Sequence, residues 1–155
     1  MQLESLIQAS RVGNIQLIEE LVRNKVNLNL HDEKGYTPLI IACYNNQLEA
    51  AKLLIDNGAN VNASDLGGNT ALMGTAFKGY AKIAELLIES GADLNLQHGN
   101  GGTALMFATT FGRNEIVQLL LHHGAVTQIQ DFRGFTAIDH ALQQGNEEAL
   151  TYYLR

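Results

Sequence analysis

Apolar residues at Ile15, Ile18, Leu21 and Val22 recur at the spacing that lines one face of a helix, while Arg11, Glu19, Glu20 and Arg23 fall on the other side and are expected to face water. The pattern then returns at a fixed offset. Leu21, Leu54, Leu87 and Leu120 stand 33 residues apart, as do Thr37, Thr70, Thr103 and Thr136. Gly35, Gly68, Gly101 and Gly134 keep the same register, and so do the pairs Gly58-Ala59, Gly91-Ala92 and Gly124-Ala125. Independent columns held in phase at a period of 20 to 50 residues mark a solenoid, in which one supersecondary unit is stacked several times.

Within each unit the spacing predicts two short helices. In the first unit one helix runs around Ser5 to Val12, and Asn14 caps a second over Ile15 to Asn24. In the next, Thr37-Pro38 starts a helix: the hydroxyl accepts from an orphan N–H and Pro presets φ at the first helical position. Later units keep Thr and place Ala71, Ala104 and Ala137 after it, which preserves the start because Ala is the best helix former. Small residues at Ala42, Thr75, Ala108 and Ala141 allow close approach of neighbouring first helices. Second helices such as Leu48 to Asn57 end at Gly58, Gly91 and Gly124 as left-handed caps. Gly35, Gly68, Gly101 and Gly134 belong in tight turns at positive φ. The turn HGNGG, beginning at His98, reads as the loosest. The resulting division is a single domain, 1–155, with an N-terminal capping repeat 1–31, full repeats 32–64, 65–97 and 98–130, and a C-terminal capping repeat 131–155. Leu86 and Leu87, with partners on both sides, are where damage should cost most.

The stretch GYTPLIIACYNNQLEAAKLLIDNGANVNA, from Gly35 to Ala63, resembles the ankyrin repeat, with its T-P-L-H-x-A helix start, G-A-x-x-N end and period of 33. The resemblance covers essentially the whole chain and implies an all-α solenoid of stacked helix-turn-helix units with projecting finger turns. One column departs: the family's His after Thr-Pro-Leu is Ile40, Met73, Met106 and Asp139 here. That departure bears on the Thr-to-His hydrogen bond with which the family ties neighbouring repeats, and not on the fold.

The same resemblance implies a non-enzymatic protein-interaction scaffold that binds a protein or peptide through a concave face of finger tips and first helices. Carried over column by column, the fingers contribute Glu33, Lys34, Tyr36, Leu66, Asn69, Asn100, Phe132, Arg133 and Phe135. The first helices contribute Arg11, Tyr44, Asn45, Phe77, Lys78, Thr110, Phe111, Gln143 and Gln144. Six of the chain's ten Phe and Tyr fall in this set. Exposed aromatics flanked by Arg, Lys and Asn are the composition of a binding hot spot. Tyr44, Phe77 and Phe111 are expected as apolar anchors, with Arg11, Lys78 and Arg133 as orienting charges. Arg11, Lys34, Lys78 and Arg133 against Glu33 make the face positive over an acidic back, which favours an acidic or mixed partner. Two further classes stay open: a regulatory or inhibitory subunit of an enzyme, and a self-associating module built on Tyr152 and Tyr153. A monomer is expected, with a homodimer as the alternative.

Composition narrows the chemistry. At 46% hydrophobic and 17% charged, the chain has the make-up of an ordered protein. A net charge of −6 with no Lys/Arg cluster argues against binding a phosphate backbone. No run of about 18 apolar residues is present, and no basic segment leads an apolar one at the start, so a membrane span and a signal peptide are not expected. The single cysteine excludes an internal disulfide framework, and the expected setting is the cytoplasm. His31, His98, His122, His123 and His140 occupy unrelated repeat positions without the spacing of a zinc site. Cys43 shares a column with Ala76, Thr109 and Leu142, which reads as a small buried side chain rather than a nucleophile. SDLGGN and GNGG follow no strand and lack the G-K-[ST] end of a phosphate cradle. Glu19, Glu20, Glu49, Asp56, Glu85, Glu89 and Glu115 form a solvated face. No cofactor, metal or catalytic set is expected.

Overall fold

The computed structural model describes residues 2–155; Met1, which the repeat pattern assigns to the first unit, lies outside them. Among the described residues the chain folds into five consecutive helix pairs with no strand. They are α1 (Gln2–Val12) with α2 (Ile15–Arg23), α3 (Pro38–Tyr44) with α4 (Leu48–Asp56), α5 (Ala71–Lys78) with α6 (Ala81–Glu89), α7 (Ala104–Thr110) with α8 (Asn114–His122), and α9 (Ala137–Gln144) with α10 (Glu147–Tyr153). Each first helix packs on the first helices before and after it, and second helices stack likewise. The result is an all-α solenoid, as the period predicts. Helix α1 starts at Gln2, earlier than Ser5, with Glu4 in its first turn where the positive end of the helix dipole favours a carboxylate.

The starts of the first helices are written in the sequence. Thr37, Thr70 and Thr103 hold extended backbone, and their hydroxyls accept the N–H of Ile40, Met73 and Met106 at 3.2, 3.2 and 3.3 Å. Such caps stabilise by about 1 kcal/mol each. At the fourth, Thr136 accepts from the Asp139 N–H while the Asp139 carboxylate accepts from the Thr136 N–H, a reciprocal capping box. Second helices divide differently. Those at the ends, α2 and α10, are capped by the side chains of Asn14 and Asn146, whereas α4, α6 and α8 have no side-chain cap. A terminal helix lacks one neighbour, so local capping offsets missing packing.

Two ties link the repeats without the family's Thr-to-His bond. Asn29, Asn62 and Asn95 each accept a backbone N–H from the following repeat, from Asn60, Asp93 and Val126 at 2.7, 2.8 and 2.9 Å. Fingers join through Leu66 N–H to Lys34 C=O, Gly99 N–H to Gly67 C=O and Phe132 N–H to Asn100 C=O, at 3.1, 3.0 and 3.0 Å. The finger from His98 is not looser than its neighbours. Gly101 N–H donates to His98 C=O and His98 N–H to Gly102 C=O, both at 2.7 Å, and the His98 ring Nδ1 accepts from Asn100 N–H where the other fingers use an aspartate.

The core runs unbroken through the stack. Leu6, Leu39, Leu72 and Leu105 from first helices and Leu54, Leu87 and Leu120 from second helices are completely or almost completely buried. Burying each such leucine contributes roughly 1.5–3 kcal/mol. Ala42, Thr75, Ala108 and Ala141 are fully buried where first helices meet, as their size predicts. Leu86, grouped with Leu87 on sequence, is only half-buried and packs against the edge of the core.

Candidate functional site

The ends of the three middle first helices, where the chain leaves the core, carry a row of exposed aromatics. Tyr44 ends α3, Phe77 ends α5 one residue before Lys78, and Phe111 is the C-cap of α7. The period brings Tyr44 and Phe77 to equivalent places on adjacent helices, their planes within 3° and ring centroids 6.5 Å apart. Phe111, one position further along, meets Phe77 edge-on at 4.7 Å and 78°. These are the geometries that the ring quadrupole favours. Tyr44, Phe77 and Phe111 remain 42, 37 and 46% exposed, so the row is a continuous apolar surface rather than core.

Cations border the row. Lys78 Nζ lies 4.8 Å over the Tyr44 ring, a cation–π contact. Arg113, which the sequence reading did not select, donates from Nε to the Phe77 carbonyl at 3.1 Å, closing the gap between α5 and α8. Arg133 stands 5.1 Å over the Phe135 ring, away from the row, and Phe135 also meets the His140 ring edge-on at 6.0 Å.

Six of the expected residues surround one cavity of about 430 Å³ between the second and third units: Arg11, Tyr36, Tyr44, Asn45, Asn69 and Phe77. Among the other residues of its wall, Ile41, Gly74 and Phe107 were not selected on sequence. The signal was a column: Ile41, Gly74, Phe107 and His140 stand 33 apart, and only Gly74 has no side chain. A carbon added at Gly74 would come within 3.1 Å of Tyr44 Cδ1. Gly inside a helix costs about 1 kcal/mol relative to Ala, so α5 gives up stability where the cavity opens.

The other expected residues lie elsewhere. Leu66 and Phe132 are finger tips, 76 and 74% exposed. Lys34 serves the first finger through its backbone, its N–H held by Asp32 Oδ1 and its C=O by Leu66 N–H. Asn45 and Asn69, which do line the cavity, are engaged internally, Asn45 Nδ2 donating to Ile41 C=O at 2.7 Å and Asn69 Nδ2 to Asp65 Oδ2 at 3.2 Å.

Reactive side chains are spent on structure. Cys43 is fully buried, and burial pushes its thiol up to about 12, which makes it inert. The His140 ring Nε2 lies 2.8 Å from Asp131 Oδ2, the one contact of a basic side chain with a carboxylate within 4 Å among the described residues. Burial raises the Asp131 carboxyl, but hydrogen bonds from Phe135 N–H, the His140 ring and Arg133 N–H outweigh it and leave the group below the usual range. The Tyr153 hydroxyl, 2.6 Å from Thr109 Oγ1, is raised to about 12 by burial. Among the described residues no group of three His, Cys, Asp or Glu is placed to hold a metal, and no helix is long and apolar enough to cross a membrane. A wider depression of about 710 Å³ lies against the second helices, with Glu85, Glu115 and Tyr152 in its lining, and has no aromatic row.

A family model described as ankyrin repeats (3 copies) matches the chain over residues 6–98 and again over 75–154. No curated protein matches it.

Proposed function

The chain belongs to the ankyrin-repeat family, whose repeats generally mediate protein–protein interaction, and from that premise we propose that its finger and first-helix face binds a protein or peptide without catalysis. The observation that carries this reading is the row Tyr44, Phe77 and Phe111, in which Phe77 packs on both of the other rings and all three are left open to solvent. A monomeric surface rarely keeps contiguous apolar area without a use. Arg11, Lys78 and Arg133 orient the partner, and an acidic or mixed segment is favoured. The reading as a self-associating module through Tyr152 and Tyr153 has less support, because the Tyr153 hydroxyl is already bonded to Thr109.

The test is capture from native lysate with the intact chain beside a Phe77→Ala, Phe111→Ala variant. The variant should keep the parent's helical circular dichroism and lose the partner, weakening affinity by about 2–4 kcal/mol as hot-spot truncations do. Equal capture by both proteins would remove the aromatic row from the binding surface.

A further inference from the structure

We propose that the cavity beside Gly74 is the anchoring socket of this face, and that it takes one bulky apolar side chain from an acidic stretch of the partner chain. The inference rests on the reading of the finger and first-helix face as a protein-binding surface, and it specifies what that partner presents.

The lining selects an apolar occupant. Ile40, Ile41, Met73, Tyr44, Phe77 and Phe107 give the wall its apolar surface, and the polar residues Asp65, Asn69 and Thr70 already have partners within the protein. Asp65 Oδ1 accepts from Gly67 N–H and Asn69 N–H at 2.8 and 2.9 Å, Asp65 Oδ2 accepts from Asn69 Nδ2, and Thr70 Oγ1 accepts from Met73 N–H. A polar side chain entering here would give up water for little beyond the Tyr36 and Tyr44 hydroxyls in return. An aromatic or large aliphatic group would meet ring faces and edges instead. At about 430 Å³ the space falls within the range of side-chain and small-ligand pockets.

The rim selects the flanking charge. Arg11 lines the cavity, Lys78 lies over Tyr44 and Arg113 is bonded to the Phe77 carbonyl. None has a carboxylate at ion-pair distance, since the one such pair among the described residues is His140 with Asp131. Asp65 is the sole carboxylate of the lining, and the backbone of its own finger surrounds it with N–H donors. Arg11 in the lining, with Lys78 and Arg113 beside two of its aromatic residues, in a chain whose net charge is −6, complements carboxylates on either side of the inserted group.

Gly74 makes the socket, and it makes the inference testable. Filling the position with the residue its column carries at Ile41 should strengthen α5 while closing the cavity, so stability and binding should move in opposite directions. The probe is a fluorescein-labelled peptide, Asp-Glu-Asp-Trp-Glu-Asp-Glu, beside one with Ala for Trp and one with Lys for every acid, each titrated into the full chain with backbone amide shifts followed by NMR. The acidic Trp peptide should shift the amides of Tyr44, Gly74 and Phe77, and either replacement peptide should bind at least about tenfold more weakly. Gly74→Ile should lose the same factor with a thermal midpoint no lower than the parent's. Should that variant fail to fold, Gly74→Ala, which presses one carbon against the exposed Tyr44 ring, should show a smaller loss in the same direction. Unchanged affinity in a folded Gly74 variant, with shifts centred on the Phe111 and Phe135 end, would overturn the socket and leave the binding face standing. Shifts confined to the second helices would overturn both, and tighter binding of the Lys peptide would overturn the acidic partner.

Discussion

Gly101 and Gly134 hold the same place in successive fingers with φ of +87° and +86°, yet they carry different burdens. A carbon added at Gly101 would lie 2.6 Å from the backbone N of Phe132, whereas at Gly134 nothing stands within 4 Å because no finger follows. Both Ala variants pay for left-handed backbone, about 1 kcal/mol. Gly101→Ala must also push apart two fingers and stretch the Phe132 N–H to Asn100 C=O bond, which adds roughly 1–2 kcal/mol. Urea unfolding should therefore rank Gly101→Ala well below Gly134→Ala, and equal losses would mean that finger-to-finger approach carries no energy. The requirement for Gly at both positions was legible in the sequence; the difference between them was not, because it depends on which residue the next repeat places opposite.

The last finger and α9 are held by two carboxylates rather than by a following repeat. Asp131 accepts from Arg133 N–H and Phe135 N–H and pairs with His140, and Asp139 accepts from the backbone and hydroxyl of Thr136. Hydrogen bonds from the Thr136 N–H and hydroxyl lower the Asp139 carboxyl, and Asp131 is lowered as well. A carboxyl lowered in the folded state contributes stability that is complete above its unfolded value, about 3.9, and is lost as pH falls through the folded one. Hydrogen exchange should show the amides of Phe135 and Asp139 losing protection below about pH 4, and Asp139→Asn should flatten that response. Protection unchanged down to the acid limit would contradict the assignment. Among the elements, the Thr starts and Gly stops could be read from sequence, since caps act over a few residues. The absence of side-chain caps on α4, α6 and α8 could not, because packing by neighbours on both sides makes them dispensable.

Across the whole molecule, stability is close to a sum of repeats and the interfaces between them. Leu87 is fully buried in the central repeat and Leu21 occupies the same column at the N-terminal end, with a neighbour on one side only. Leu87→Ala should cost about 2–5 kcal/mol. It should also lower the urea m-value as the two halves begin to unfold separately, while Leu21→Ala should cost less and leave the m-value unchanged. Circular dichroism across a urea series measures both. Leu86, half-buried against the same core, should cost less than Leu87 when truncated; the period alone does not say which of two adjacent leucines is the more deeply buried.

The fold was determined by the sequence alone, because a period of 33 with turn, cap and core columns in phase admits one arrangement of short helices, each stabilised locally and by an identical neighbour. The resemblance to the ankyrin repeat also selected Tyr44, Phe77 and Phe111 as surface residues. Only the tertiary structure decided that these three rings touch, that Lys78 and Arg113 border them, and that Gly74 opens a cavity beneath Tyr44. A column states what stands at a position; an empty space is made by residues from four repeats at once, and no single stretch of chain contains it.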